Sequence, residues 1–220
     1  MRLWRHYFST KGKDRDGERA VVFMEKACQQ MDMASCTMMA GTYQFEYGVP
    51  RDIARANALY ETSCTGGDAM GCGRLGINYM RGEGVEVDFA RASVLLEKAC
   101  DGGEVYFCVQ LAKLYAVGKG VPRYVTMSDA LYLKACEGKN MEGCNNYAWS
   151  QCHDQNVCTE DLMELSSRTL PQDTTGAYHD TYAYILCRLG RTDEGDAAYA
   201  TACEINKKAC GYSCAKLNEE

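Results

Sequence analysis

Fourteen of the 220 residues are cysteine, and no other residue type in the chain is as well equipped for chemistry. Such a set could ligate metal as thiolates, run thiol–disulfide exchange, or form permanent cross-links. Spacing separates these options. No Cys-x-x-Cys redox motif occurs. Eight of the cysteines fall into pairs eight apart: Cys28 and Cys36, Cys64 and Cys72, Cys100 and Cys108, Cys136 and Cys144, with the pairs recurring every 36 residues. An even total is what complete pairing requires. A metal set of Cys144, Cys152, His153 and Cys158 lacks the gaps of roughly two to four residues that zinc sites favour. A disulfide from Cys152 to Cys158 closing a shortened loop is the expectation there, with no metal and no cofactor.

Other catalytic groups are sparse. His6, His153 and His179 are scattered, and none has a nucleophile at a fixed spacing. The chain has no phosphate loop, dinucleotide fingerprint, nucleophile elbow or metalloprotease helix. One serine–lysine motif occurs, Ser213-Cys214-Ala215-Lys216, but the Ser-Asp-Asn and Lys-Thr-Gly elements that accompany it in β-lactam enzymes do not. No catalytic residue is therefore assigned. A formal net charge of −6 argues against a phosphate-neutralising nucleic-acid binder, and no apolar run approaches the length of a membrane span.

The cysteine period defines the elements. A repeat near 36 residues marks an array in which each unit is one supersecondary motif. Compared within the chain, the repeats align Tyr7, Tyr43, Tyr79 and Tyr115; Gly12, Gly48, Gly84 and Gly120; and Leu3, Met39, Leu75 and Leu111. Further columns are Phe23/Leu59/Leu95/Leu131, Ala27/Ser63/Ala99/Ala135 and Ala40/Gly76/Ala112/Ala148. Leu75 and Tyr79, four apart, share one face of a first helix. The glycine column is expected to stop that helix in the left-handed region. Asp52 and Asp88 are placed to cap a second helix, which runs to the Cys64 or Cys100 column. A glycine-rich turn follows, Thr65-Gly66-Gly67-Asp68 or Asp101-Gly102-Gly103-Glu104. The expected fold is all-α, an α-solenoid of antiparallel helix pairs with a disulfide across each junction between repeats. On the chain-entropy model each bridge contributes about 2–3 kcal/mol, which matters where single units cannot bury their own apolar faces.

After Cys144 the register fails. A fifth first helix over Cys144–Cys152 lacks the glycine loop, a helix follows over about residues 159–170, and helices over 178–190 and 192–205 form a further pair, with Tyr178, Tyr182, Ile185 and Leu189 on one stripe. A short helix near residues 209–217 caps the array. Two regions follow: residues 1–150 with about four cysteine repeats, the first truncated, and residues 151–220 with divergent repeats and the cap. Cys203–Cys210 and Cys187–Cys214 are the preferred last pairs, though spacing does not fix that connectivity. Disulfides on this scale point to an oxidising, extracytoplasmic compartment, periplasmic or secreted. The first residues carry no export signal, and the column register reaches back past Met1. The chain is accordingly expected to be part of a longer precursor, with an apolar face around Leu3, Trp4 and Tyr7 left open to association.

Three runs carry a resemblance: Gly82-Glu83-Gly84-Val85-Glu86, Lys98-Ala99-Cys100-Asp101-Gly102-Gly103, and Gly71-Cys72-Gly73-Arg74-Leu75-Gly76-Ile77-Asn78-Tyr79. Over about residues 1–150 the chain resembles the Sel-one-like repeat, a relative of the tetratricopeptide repeat, in the cysteine-paired form of the Helicobacter cysteine-rich proteins. The stretch from Thr181 to Tyr199 resembles an ordinary tetratricopeptide unit. The resemblance implies a protein- or peptide-binding scaffold. It also implies a β-lactam-binding or β-lactamase-like hydrolase as one alternative, and a mitochondrial intermembrane-space assembly factor as another.

Columns that vary between repeats are the candidates for binding, since packing does not dictate them. They read Arg2/Met38/Arg74/Gln110/Asn146, Arg5/Gly41/Ile77/Lys113/Trp149 and His6/Thr42/Asn78/Leu114/Ser150. All lie on first helices, which commonly line the concave side of such arrays. Arg74, Asn78, Arg81, Lys113, Asn146 and Trp149 are thereby expected to form a polar, partly basic groove. It would suit a peptide bearing carboxylates, gripped by arginine and stacked on Trp149.

Overall fold

The structure, a computed structural model, describes residues 17–207 and 210–217. The expectations on Arg2, Leu3, Trp4, Arg5, His6, Tyr7 and Gly12 lie outside these residues. Among the described residues there are twelve α-helices and no strand. The chain forms two compact units, Met1–Tyr124 and Val125–Glu220.

In the first unit the described helices are α1 (Gly17–Gln29), α2 (Met33–Gln44), α3 (Ile53–Thr65), α4 (Ala69–Arg81), α5 (Phe89–Asp101) and α6 (Val105–Val117). Each packs against its successor in sequence. Helices α3, α4 and α5 begin where a side-chain acceptor meets a free amide: Asp52 accepts from the Arg55 amide at 2.9 Å, Asp68 from Gly71 at 2.6 Å and Asp88 from Arg91 at 2.9 Å. The first helices end earlier than the glycine column predicts. The left-handed stop is Gly82 (φ 70°) after α4 and Gly118 (φ 72°) after α6. Gly84 (φ 69°) and Gly120 (φ 71°) come two residues later. There the requirement is twofold, a second positive φ and close approach. A Cβ on Gly84 would lie 2.3 Å from Ile53 Cγ2, and one on Gly120 would lie 2.3 Å from the Phe89 backbone.

The core runs between paired helices. Met39, Leu75 and Leu111 are buried as their column requires, and Ala40 and Ala112 have no exposed surface. A Cβ on Gly76 would lie 3.1 Å from Leu96 Cγ, so the bare glycine leaves room for that side chain. On the second helices the buried column is Met24, Tyr60, Leu96 and Tyr132. Its neighbour Phe23/Leu59/Leu95/Leu131 is constant in type but only partly covered, and Phe23 is 59% exposed.

The second unit contains α7 (Val125–Glu137), α8 (Met141–Trp149), α9 (Glu160–Ser167), α10 (Ala177–Arg188), α11 (Thr192–Ile205) and α12 (Cys214–Leu217). Helix α8 continues into a π-helical turn, Ser150–Asp154. Helix α10 is covered on two sides. Ile185 packs with Ala148 and Leu162, while Ala183 and Leu186 pack with Ala198 and Tyr199. The stripe expected through Tyr178 and Tyr182 therefore describes only part of a helix that needs two apolar faces. Gly190, at φ 80°, stops it as expected.

Seven disulfides account for all fourteen cysteines: Cys28–Cys36, Cys64–Cys72, Cys100–Cys108, Cys136–Cys144, Cys152–Cys158, Cys187–Cys214 and Cys203–Cys210. The four eight-apart bridges each join the end of one helix to the start of the next across the tight turn.

Candidate functional site

The expected groove residues divide between the two units. In the first unit Arg74 lies exposed on α4, with its guanidinium 5.9 Å from the centre of the Phe45 ring. Among the described residues no carboxylate pairs with it. Phe45 and Tyr47, at the end of α2, are 47% and 45% exposed, with ring centres 5.9 Å apart. Arg81, also exposed, stands 3.5 Å from Glu83, and Arg51 approaches the same carboxylate at 3.8 Å. Arg51 and Arg81 thus flank Glu83, while Arg74 lies over the exposed Phe45 ring. Lys113 is half-buried on α6.

Asn78 corrects the sequence expectation. It is 1% exposed, and its amide is the centre of an internal network. Tyr60 donates to Gln44 Oε1 at 2.9 Å, Gln44 Nε2 to Asn78 Oδ1 at 2.8 Å, and Asn78 Nδ2 to Asn57 Oδ1 at 2.7 Å. Asn57 Nδ2 then donates to the Glu83 carbonyl at 2.8 Å. A buried amide with both ends satisfied by protein is a register pin between repeats and has no surface to offer a ligand. Burial, with smaller and opposed effects from Arg74 and Glu83, pushes the Tyr60 phenol up to about 12, so it remains a neutral donor in this chain of bonds.

In the second unit Trp149 stacks on His153, with ring centres 4.4 Å apart at 15°. Tyr184 closes the group at 5.1 Å from Trp149 and 5.5 Å from His153. The π-helical turn puts His153 over the indole, and Gln151 within it and Gln155 just after it donate to the buried Asp129 carboxylate. Trp149 therefore spends one face on an intramolecular partner. Asn146 is half-buried one turn earlier on α8. Sequence columns missed Phe45, Tyr47 and Tyr184. Phe45 and Tyr47 sit past the end of the helix, outside the three- and four-residue series used to trace a face.

Two further candidates, Asp173 with His179 and the Ser213–Lys216 pair, are held in local hydrogen bonds. Asp173 caps α10, accepting from the Gly176, Tyr178 and His179 amides at 2.9–3.0 Å and from His179 Nδ1 at 2.9 Å. Burial raises its pKa, but hydrogen bonds from His179 and Thr175 outweigh this and hold it down at about 2. The Ser213–Lys216 pair forms no nucleophile–base contact. Lys216 Nζ donates to the Gly211 carbonyl at 2.6 Å, and Ser213 Oγ accepts from the Lys216 backbone amide at 3.4 Å. The sulfurs of Cys144, Cys152 and Cys158 are consumed in disulfides. Among the described residues no group of three or more His, Cys, Asp or Glu side chains could hold a metal.

Helix pairs of 36-residue period, capped by aspartate and stapled at each turn, match the Sel1 repeat model over residues 4–30, 34–68, 69–104 and 105–140. The chain belongs to the Sel1 repeat family. Solved Sel1-type structures share the fold. One is a protective antigen of uropathogenic Escherichia coli strains displaying an SLR fold, with a TM-score of 0.80 and 22% identity over 92% of this chain. This chain spans only 44% of that antigen. A Sel1 repeat protein from Oxalobacter formigenes gives a TM-score of 0.76 at 18% identity, covering 92% of this chain and 85% of its own. Helicobacter pylori cysteine rich protein B gives 0.51 at 22% identity, over 62% of this chain and 98% of its own. No curated protein matches the chain in sequence. Sel1 repeats are scaffold modules of protein interaction. No helix among the described residues is long and apolar enough to cross a membrane.

Proposed function

We propose that this Sel1 repeat chain is a non-catalytic protein- or peptide-binding scaffold of an extracytoplasmic compartment. Its binding surface is the first-helix side, the concave face of such arrays, around Arg74, Arg81, Phe45 and Tyr47. The observation that carries the reading is Arg74. It is an exposed guanidinium with no carboxylate partner, laid over an exposed aromatic ring in a column whose residue changes from repeat to repeat. Such a group costs little to desolvate against an incoming carboxylate and can grip it with two parallel N–H bonds. The ligand class is accordingly an acidic peptide segment with an apolar or aromatic residue to rest on Phe45. Lys113 extends the surface along α6, and Asn146 and Trp149 offer a separate contact on the second unit. Seven disulfides favour an oxidising location, periplasmic or secreted.

The test is fluorescence polarisation with a labelled Asp/Glu-rich peptide containing phenylalanine, against a peptide with lysine in place of each acid. The intact chain binds the acidic peptide, and Arg74→Glu combined with Phe45→Ala abolishes binding while leaving the melting temperature unchanged. Equal binding by the double variant overturns the proposal. Nitrocefin turnover in the same preparation, lost in Ser213→Ala, would favour the β-lactamase-like alternative; the position of Lys216 Nζ on a carbonyl gives that alternative no support.

A further inference from the structure

The second unit holds a cavity of about 490 Å3 between α8 and α9, whose volume lies within the usual range for ligand pockets. Its floor is apolar: Tyr147, Leu162 and Leu165 line it, and Leu162 is only 8% exposed. Its rim is charged. Asp161 and Glu164 are three apart on α9, so they point to the same side of the helix. Both line the cavity together with Arg168. Glu164 is already taken, because Arg168 Nη2 donates to it at 2.7 Å. Asp161 has no ion pair among the described residues.

A third carboxylate stands behind the wall. Gln151, which lines the cavity, donates its amide to Asp129 Oδ2 at 2.8 Å. Asp129 is 6% exposed, and its other oxygen is buried without a hydrogen-bond partner. Two carboxylates, Asp161 and Glu164, therefore share the rim with one guanidinium around an apolar floor, with the Asp129 carboxylate behind Gln151. That combination rejects anions and favours a group with a hydrocarbon stem and a cationic head, which buries its methylenes while the charge stays at the rim. Arg168 already illustrates the chemistry, since its own guanidinium is held there by Glu164. Asp161 is the second, vacant berth.

We propose that this cavity is a docking site for an arginine or lysine side chain presented by an extended segment of a partner protein. The site is separate from the Arg74 surface and of opposite charge preference. The test is NMR titration of the full, disulfide-intact 15N-labelled chain with the pentapeptide acetyl-Gly-Leu-Arg-Leu-Gly-amide and its glutamate counterpart. The arginine peptide shifts the amides of Val157, Leu162 and Leu165, and the glutamate peptide does not. Asp161→Lys weakens binding by about fivefold or more, the upper range for one partly exposed ion pair, and about 0.5 M salt does the same. Asp161→Asn gives a smaller loss in the same direction and guards against a folding defect from charge reversal. Identical shifts with the glutamate peptide overturn the proposal. So does an unchanged Kd in Asp161→Lys, or a response confined to the residues around Phe45 and Arg74.

Discussion

Replacing Asn78 by alanine separates an internal pin from a ligand contact. The substitution deletes the acceptor for Gln44 Nε2 and the donor to Asn57 Oδ1. Gln44 keeps a longer bond to Glu83 Oε2 at 3.3 Å, but Asn57 Oδ1 is left buried with no donor. Two lost bonds at about 1 kcal/mol each, with an orphaned acceptor at about 1–3 kcal/mol in partial overlap, give a destabilisation near 3 kcal/mol. Asn78→Leu keeps the volume and places there the residue that the next repeat carries at Leu114. It loses the same two bonds and leaves the same orphaned acceptor without opening a cavity, so its loss is also about 3 kcal/mol. Equilibrium urea unfolding with disulfides intact reads both. For an m-value of about 2 kcal/mol/M the midpoint of Asn78→Ala falls by about 1.5 M. The double variant with Asn57→Ala should cost clearly less than the sum of the singles, because both remove the same bond. A midpoint shift under about 0.2 M, accompanied by loss of acidic-peptide binding, would refute the argument and return Asn78 to the surface.

The period of the cysteines made the fold legible, because a disulfide fixes two backbone positions and the constant columns then fix the helices between them. Asp52, Asp88 and Gly190 play the parts that their types and positions suggest. Constancy misled at one column. Phe23, Leu59, Leu95 and Leu131 repeat faithfully yet are only partly covered, while the buried column beside them varies as Met24, Tyr60, Leu96 and Tyr132. Shape complementarity at one helix crossing can be met by Met, Leu or Tyr, so the core itself need not look periodic. The converse error produced the reading of Asn78. A column that changes from Thr42 to Asn78 to Leu114 looks free of packing demands, but each residue is buried. The local partner, Gln44 with Asn57, decides which type fits, and a spacing rule contains no partners. The aromatic group of Trp149, His153 and Tyr184 was out of reach for a different reason: it depends on a π-helical turn, one extra residue per turn that no 3.6-residue periodicity anticipates.

Two further outcomes test the backbone and the cap. Gly67→Ala and Gly84→Ala both force a side chain to positive φ (92° and 69°), but a Cβ at Gly67 meets nothing within 4 Å while one at Gly84 meets Ile53 at 2.3 Å. Gly67→Ala should cost about 1 kcal/mol, since Met31 and Lys139 occupy the equivalent turn position at positive φ. Gly84→Ala should cost about 3 kcal/mol by adding overpacking, and equal midpoint shifts in urea would refute the close-approach argument. Asp173 governs acid stability. Its folded pKa of about 2 lies below the ordinary 3.8, so its contribution is complete above pH 4 and disappears as the pH falls through about 2. The full shift corresponds to about 2 kcal/mol, and solvent screening reduces it to about 1 kcal/mol. Asp173→Asn keeps an acceptor for the α10 amides but cannot titrate. Its stability should therefore fall less steeply than that of the unaltered chain between pH 4 and 2, measured by thermal melts across that range. Parallel profiles would mean that other carboxylates carry the acid transition and that the six donors around Asp173 hold a neutral acid as well as they hold the anion.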